Sequence, residues 1–176
     1  AGSSWQPDED LFIEYFNQHP EVKLVIAPHV IDENHLVEII RKLKRPYVRY
    51  TRADEKNVRK ADCLIIDCFG LLSSIYRYGE IAYIGGGFGV GIHNTLEAAV
   101  YGIPVIFGPK YQKFQEAIQL LEAKGAFSVK DYEELKTLLD RMLTDEVFLR
   151  ESGMNASNYV TGNAGATDKI MSMINF

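Results

Sequence analysis

Short apolar runs alternate along this chain with longer stretches in which apolar residues recur every three or four positions. The first pattern predicts strands buried on both faces, and the second predicts amphipathic helices. Residues 7–18 predict a helix with Leu11, Phe12, Tyr15 and Phe16 on one face, and 23–27 a strand stopped by Pro28. A helix over 31–43 and a strand over 47–50 come next, then a strand at 63–67 and a short helix at 71–77. The strand 81–84 runs into a glycine-rich loop, followed by a helix over 95–101 closed by Gly102 and a strand at 104–107. A helix over 113–124 closed by Gly125, a strand at 127–129 and a helix over 131–143 capped by Asp131 follow. The remainder, 145–175, is mostly helical and broken near 162–165.

Wholly apolar strands joined by helices imply an α/β fold: a Rossmann-like parallel sheet with helices on both faces. Ligands of such sheets bind outside the carboxyl ends of the strands. The 176 residues, 47% of them hydrophobic, suffice for one domain with its own core. The formal charge of -5, with both signs mixed and no long run of either, argues against nucleic acid as a partner. No basic amphipathic face is evident, and no run approaches the roughly 20 apolar residues of a membrane span. Cys63 and Cys68 flank an apolar run and read as small core residues of a reduced, intracellular protein. No signal peptide is evident. The absence of an initiator methionine raises the expectation that 1–176 is one domain of a longer, two-domain chain.

Gly85, Gly86, Gly87, Gly89 and Gly91 crowd the loop after the 81–84 strand. They do not form G-x-G-x-x-G, because Val90, Ile92 and Asn94 stand where the third glycine belongs. They do not form a P-loop either, since Ile92-His93 follows Gly91 in place of Lys-Ser/Thr. Two readings remain: tight backbone packing, or amides facing an anion beside a helix start. Asn94-Thr95-Leu96-Glu97 likewise reads as a capping box, or as a carboxylate accepting from a sugar diol, and the two are compatible. His93 is placed to donate to a phosphate or to satisfy a loop carbonyl. Lys110 follows the 104–107 strand, where it meets an anionic ligand or only solvent. His29, Asp32, Glu33 and His35 lie close together, but a His–His spacing of six does not share a helix face. Asp32 reads as an N-cap with His35 exposed, and no metal is expected.

The run Gly85-Gly86, His93-Asn94-x-Leu96-Glu97, Gly102-x-Pro104-Val105, Gly108-Pro109 and Phe114 resembles the donor-domain signature of 3-deoxy-D-manno-octulosonic acid (Kdo) transferases. Asp67-x-x-Gly70-x-Leu72-x-x-x-Tyr76, Pro28-His29, and Gly2-Ser3-Ser4 followed by Glu9 are similar to further family stretches, more loosely. The arginine usual before that histidine is absent, Gly91-Ile92 replaces a Gly-Gly pair, and Leu71 replaces an acidic residue. The resemblance implies the C-terminal, donor-binding half of a GT-B glycosyltransferase that moves Kdo from CMP-Kdo onto a lipid A precursor. Displacement would invert the anomeric carbon and require no metal or other cofactor. The family's base is a glutamate of the N-terminal half, which nothing here matches. Gly85, Gly86, Gly87, His93, Asn94, Thr95, Leu96 and Lys110 would receive the phosphate end of the donor. Glu97 would hold the ribose, and Phe69, Gly70 and Leu71 would frame the cytosine, with Pro28 and His29 nearby. The complete enzyme would work at the cytoplasmic face of the inner membrane, its lipid acceptor held by the other domain. Alternatives are the GT-B half of a UDP-sugar transferase or epimerase, and a non-catalytic Rossmann-like interaction module.

Overall fold

A computed structural model describes residues 1–165. Its sheet contains seven parallel strands: β1 Gly2–Ser4, β2 Leu24–Pro28, β3 Tyr47–Arg49, β4 Cys63–Ile65, β5 Ala82–Ile84, β6 Val105–Phe107 and β7 Ala126–Ser128, in the order β3-β4-β2-β1-β5-β6-β7. Eight helices accompany them: α1 Gln6–Gln18, α2 Glu33–Lys42, α3 Glu55–Val58, α4 Leu72–Ile75, α5 Leu96–Ala99, α6 Gln115–Glu122, α7 Tyr132–Thr144 and α8 Glu146–Gly162. Turns of 3-10 helix follow β3 and α4.

Strand side chains alternate between two cores, as a period of two requires. Ile26, Ile65, Tyr83 and Ile106 pack on one face with Phe12 and Phe16 of α1, Leu36 and Ile39 of α2, and Leu135 and Met142 of α7. Ala82, Ile84, Val105 and Phe107 face the other way, against Ala98 and Ala99 of α5, Leu120 of α6 and Ala156 of α8. Each fully buried side chain such as Phe16 contributes about 1.5–3 kcal/mol, against tenths of a kcal/mol from helix propensity. Packing therefore decides where α1 lies. Pro7 in its first turn costs nothing, because amides there have no helical partner.

Most expected elements form, trimmed at their ends, and three differences stand out. Gly2–Ser4 is a strand that the pattern does not foretell, although it lies at the centre of the sheet. The short α3 is likewise unexpected. The helix expected to be closed by Gly125 ends instead with Lys124 at φ 59. Gly125 is small for another reason: a Cβ there would lie 2.6 Å from the Ala156 amide nitrogen of α8. α8 ends at Gly162, within the expected break, and any helix past residue 165 lies outside the described residues.

Candidate functional site

The chain leaves β1 towards β2, β4 and β3 on one side and later fills β5, β6 and β7 on the other. The strand order therefore reverses between β1 and β5, where parallel sheets open a ligand crevice at their carboxyl ends. Five of the loops at that end of the sheet bear on the crevice. They carry Trp5 after β1, His29 after β2, 66–71 after β4, the glycines 85–91 after β5, and 108–110 after β6.

Three aromatic rings are stacked there. Trp5 stacks on His29 with centroids 4.7 Å apart, and His29 on His93 at 4.4 Å. The Trp5 indole Nε1–H donates to His93 Nε2 at 3.3 Å. An indole nitrogen only donates, so Nε2 must accept and the proton of the neutral ring sits on Nδ1. Burial, reinforced by the neighbouring His29, pushes the His93 pKa below its ordinary value, against a smaller opposing pull from Asp8. His93 is thus a neutral imidazole at pH 7, with its Nδ1–H available to a ligand.

Asp8 organises the loop above α1. Its Oδ2 accepts the Trp5 amide at 3.0 Å and the Gly86 amide at 2.9 Å, and its Oδ1 accepts the Tyr83 hydroxyl at 3.1 Å. Burial pushes this carboxyl up, and those hydrogen bonds pull it back part of the way. The Gly85 amide donates to Gly2 carbonyl oxygen at 2.9 Å. Two of the three glycine amides expected at a phosphate are therefore engaged within the protein. Among the described residues the Gly87, Phe88, Asn94 and Thr95 amides have no acceptor.

Close packing accounts for much of the glycine. A Cβ on Gly85 would lie 2.3 Å from the Ser3 carbonyl oxygen, and one on Gly87 would lie 2.6 Å from the Gly108 nitrogen. Gly86 adopts φ 94, a left-handed region that a side chain resists. Lys110 reaches back to the same loop, its Nζ donating to Gly89 carbonyl oxygen at 2.8 Å.

The expected capping box at Asn94 does not close. Asn94 Oδ1 accepts from the Leu96 amide at 3.0 Å, and its Nδ2 donates to Glu97 Oε1 at 3.2 Å. Glu97 bonds the Asn94 side chain, where a box would use the Asn94 backbone amide. The second carboxylate oxygen of Glu97 is unengaged among the described residues, and the residue is half-buried. Burial and the Glu97 charge both push the pKa of buried Tyr76 up, so Tyr76 lies within electrostatic reach of Glu97. Thr95 is fully buried, and its Oγ1 has no partner among the described residues. Leu96 is exposed beside it.

Pro28 ends β2 at the crevice, whereas 69–71 sit one strand further out, after β4. Phe69 is exposed and Gly70 adopts φ 87 in open space. Phe69 joins none of the ring stacks among the described residues, and this loop follows β4, to one side of the crevice. It hangs on Asp67, which accepts from Thr51 Oγ1 at 2.6 Å, the Thr51 amide at 2.8 Å and Arg49 Nε at 2.8 Å. Burial pushes this carboxyl up, but the hydrogen bonds outweigh it and hold the pKa below the usual range.

A buried ion pair supports the loop carrying His29. Ser4 Oγ donates to Glu9 Oε1 at 2.9 Å, while His35 Nε2 meets Glu9 Oε2 and His35 Nδ1 meets the Val30 carbonyl, both at 2.9 Å. Both partners of His35 are acceptors, so the ring is an imidazolium. Burial pushes its pKa down, but the bonds from Glu9 and Val30 raise it above the ordinary value overall. Asp32 does cap α2, through the Asn34 amide at 2.9 Å. His35 is not exposed as the sequence suggested: its side chain is 15% accessible and that of Glu9 is 0%. Among the described residues no group of three or more His, Cys, Asp or Glu could hold a metal ion, and no helix is long and apolar enough to cross a membrane.

Sequence reasoning missed Trp5 and Asp8. The signal available was the Trp-x-x-Asp-Glu order after a chain start already likened to a known family.

No family model matches the chain. A 3-deoxy-D-manno-octulosonic acid transferase of Aquifex aeolicus is 33% identical over 150 residues, covering 82% of this chain and 41% of that protein. The chain thus spans about two fifths of the length of this curated relative. The crystal structure of the C-terminal CMP-Kdo binding domain of WaaA from Acinetobacter baumannii superposes with a TM-score of 0.75 at 19% identity, over 90% of this chain and 86% of that one. The C-terminal domain of the glycosyl transferase group 1 family protein LpcC from Francisella tularensis gives 0.61 at 16% identity, over 91% and 80%. The fold is therefore that of a GT-B glycosyltransferase C-terminal domain. By its sequence, the chain belongs to the family of 3-deoxy-D-manno-octulosonic acid transferases.

Proposed function

We propose that the crevice between β1 and β5 binds CMP-Kdo, and that the chain is the donor half of an enzyme that moves Kdo onto a lipid A precursor at the cytoplasmic face of the inner membrane. One observation carries this reading. The switch point gathers free backbone amides at Gly87, Phe88 and Asn94, the neutral His93 with its free Nδ1–H, and the half-free carboxylate of Glu97. Donors of this kind hold a phosphate diester without a metal, and the carboxylate takes a ribose hydroxyl. Negative charge grows on the departing CMP phosphate during displacement, so donors fixed beforehand stabilise the transition state more than the ground state. Lys110 adds positive charge beside the same loop. The exposed 69–71 loop frames the base. The base that deprotonates the acceptor hydroxyl, and the acceptor itself, belong to residues outside this chain.

Calorimetric titration with CMP, UMP and NAD tests the assignment. CMP is expected to bind and the others not, and Glu97→Gln is expected to weaken CMP by about tenfold to a hundredfold, as loss of a charge-assisted hydrogen bond does. Preference for UMP would turn the assignment towards a UDP-sugar transferase or epimerase. Binding of no nucleotide would favour a non-catalytic module.

A further inference from the structure

The charges are less evenly spread than they first look. Residues 41–60 hold nine of the 19 Lys and Arg residues and only two acidic ones, Asp54 and Glu55. That segment carries 9 − 2 = +7, so the rest of the chain carries −5 − 7 = −12. In the fold the segment runs from the last turn of α2 through β3 and α3, along one outer edge of the sheet.

Three of the nine are committed. Lys42 pairs with Asp10, Arg49 pairs with Glu33 and Asp67, and Arg45 donates to the carbonyls of Phe16, His19, Pro20 and Val22. The other six, Arg41, Lys44, Arg52, Lys56, Arg59 and Lys60, are exposed and make no ion pair among the described residues. Tyr47, Tyr50 and Val58 are exposed between them. An edge strand lined by free cations is protected from pairing with other strands. Six cations, two tyrosines and a valine are more than that protection needs.

We infer that this edge is a docking surface for an anionic phospholipid bilayer. Unpaired Lys and Arg next to such a surface are each attracted within a Debye length, and exposed tyrosines suit the headgroup layer. The acidic remainder favours a flat partner over a long polyanion. A bilayer meets the molecule at this edge alone, whereas a nucleic acid running past it would meet the −12 body. Two cavities lie elsewhere, one between α6 and α7 and one at the amino ends of the strands. The inference rests on charge and exposure, independently of which donor the crevice holds.

The test is co-sedimentation of the full chain with phosphatidylcholine vesicles, with and without phosphatidylglycerol, at low and physiological salt. A triple variant, Lys56→Gln, Arg59→Gln and Lys60→Gln, is compared with Lys113→Gln, Lys130→Gln and Arg150→Gln, which removes equal charge elsewhere. Binding is expected only with phosphatidylglycerol, falling with salt. It is expected to weaken about a hundredfold in the first variant and little in the second, from the per-residue attraction. CMP titration of the same variants reports fold and donor site separately. Absence of binding to anionic vesicles, equal loss in both variants, or tighter binding to duplex DNA in a parallel shift assay would each overturn the inference.

Discussion

His35 and Glu9 show how a single pair sets the state of the site above it. Glu9 is wholly buried with Ser4 and His35 on its two oxygens, and the second His35 nitrogen holds the carbonyl of Val30, next to His29. Removing one member of a buried pair leaves an uncompensated charge, so His35→Ala is expected to cost about 3–5 kcal/mol in chemical denaturation. The pH dependence follows from the direction of the shift. The folded pKa of His35 lies above its ordinary 6.5, so the pair's contribution is complete below that value and is lost as pH rises through the folded pKa. Stability measured against pH should therefore fall on the alkaline side in the parent, and His35→Gln should remove that component. A parent profile flat across that range would mean that the ring is neutral. Spacing gave the right N-cap at Asp32 but an exposed His35, because the partner sits 26 residues earlier on another helix. Trp5 escaped notice for the same reason, since its partner His93 lies 88 residues away.

At the scale of elements, amphipathic periodicity located α1, α2, α6 and α7 because each buries one stripe against the sheet. The short β1 and α3 lack such a stripe. Gly2-Ser3-Ser4 has no apolar pattern at all, and backbone hydrogen bonds on both sides hold it as a strand. The glycine loop was legible as a special element, but its glycines divide between roles that composition does not separate. Gly87 and Gly108 let the loops after β5 and β6 touch backbone to backbone, and a Cβ on Gly108 would lie 2.7 Å from the Gly87 carbonyl carbon. Neither loop can retreat freely: Gly86 is tied to Asp8, and Lys110 is tied to Gly87 and Gly89. Gly108→Ala is expected to cost about 1–3 kcal/mol by overpacking. It should also weaken CMP binding, because the free Gly87 amide moves with the loop. A fully stable variant with unchanged CMP affinity would show the two loops to be independent.

The whole molecule hangs on a central strand of three residues. β1 joins the β3-β4-β2 half of the sheet to the β5-β6-β7 half, and the crevice opens where it does so. The Ala27 amide donates to the Ala1 carbonyl, the His29 amide to Ser4 and the Gly85 amide to Gly2, so both halves donate hydrogen bonds to residues 1–4. Ala27 and Gly85 are buried, and each buried amide left without an acceptor costs about 1–3 kcal/mol, a large share of the roughly 5–15 kcal/mol that holds a whole domain folded. Deleting residues 1–4 also removes the Ser4 hydroxyl from Glu9. The expected outcome is loss of a single cooperative transition in urea, with the two halves no longer melting together and CMP binding abolished. Helix α1 would lose its anchor at the crevice while keeping Phe12 and Phe16 to bury, so residual helical signal with no sharp midpoint is the specific signature. A cooperative transition close to that of the parent would mean that β2 and β5 close directly onto each other, and that the first strand serves the crevice alone.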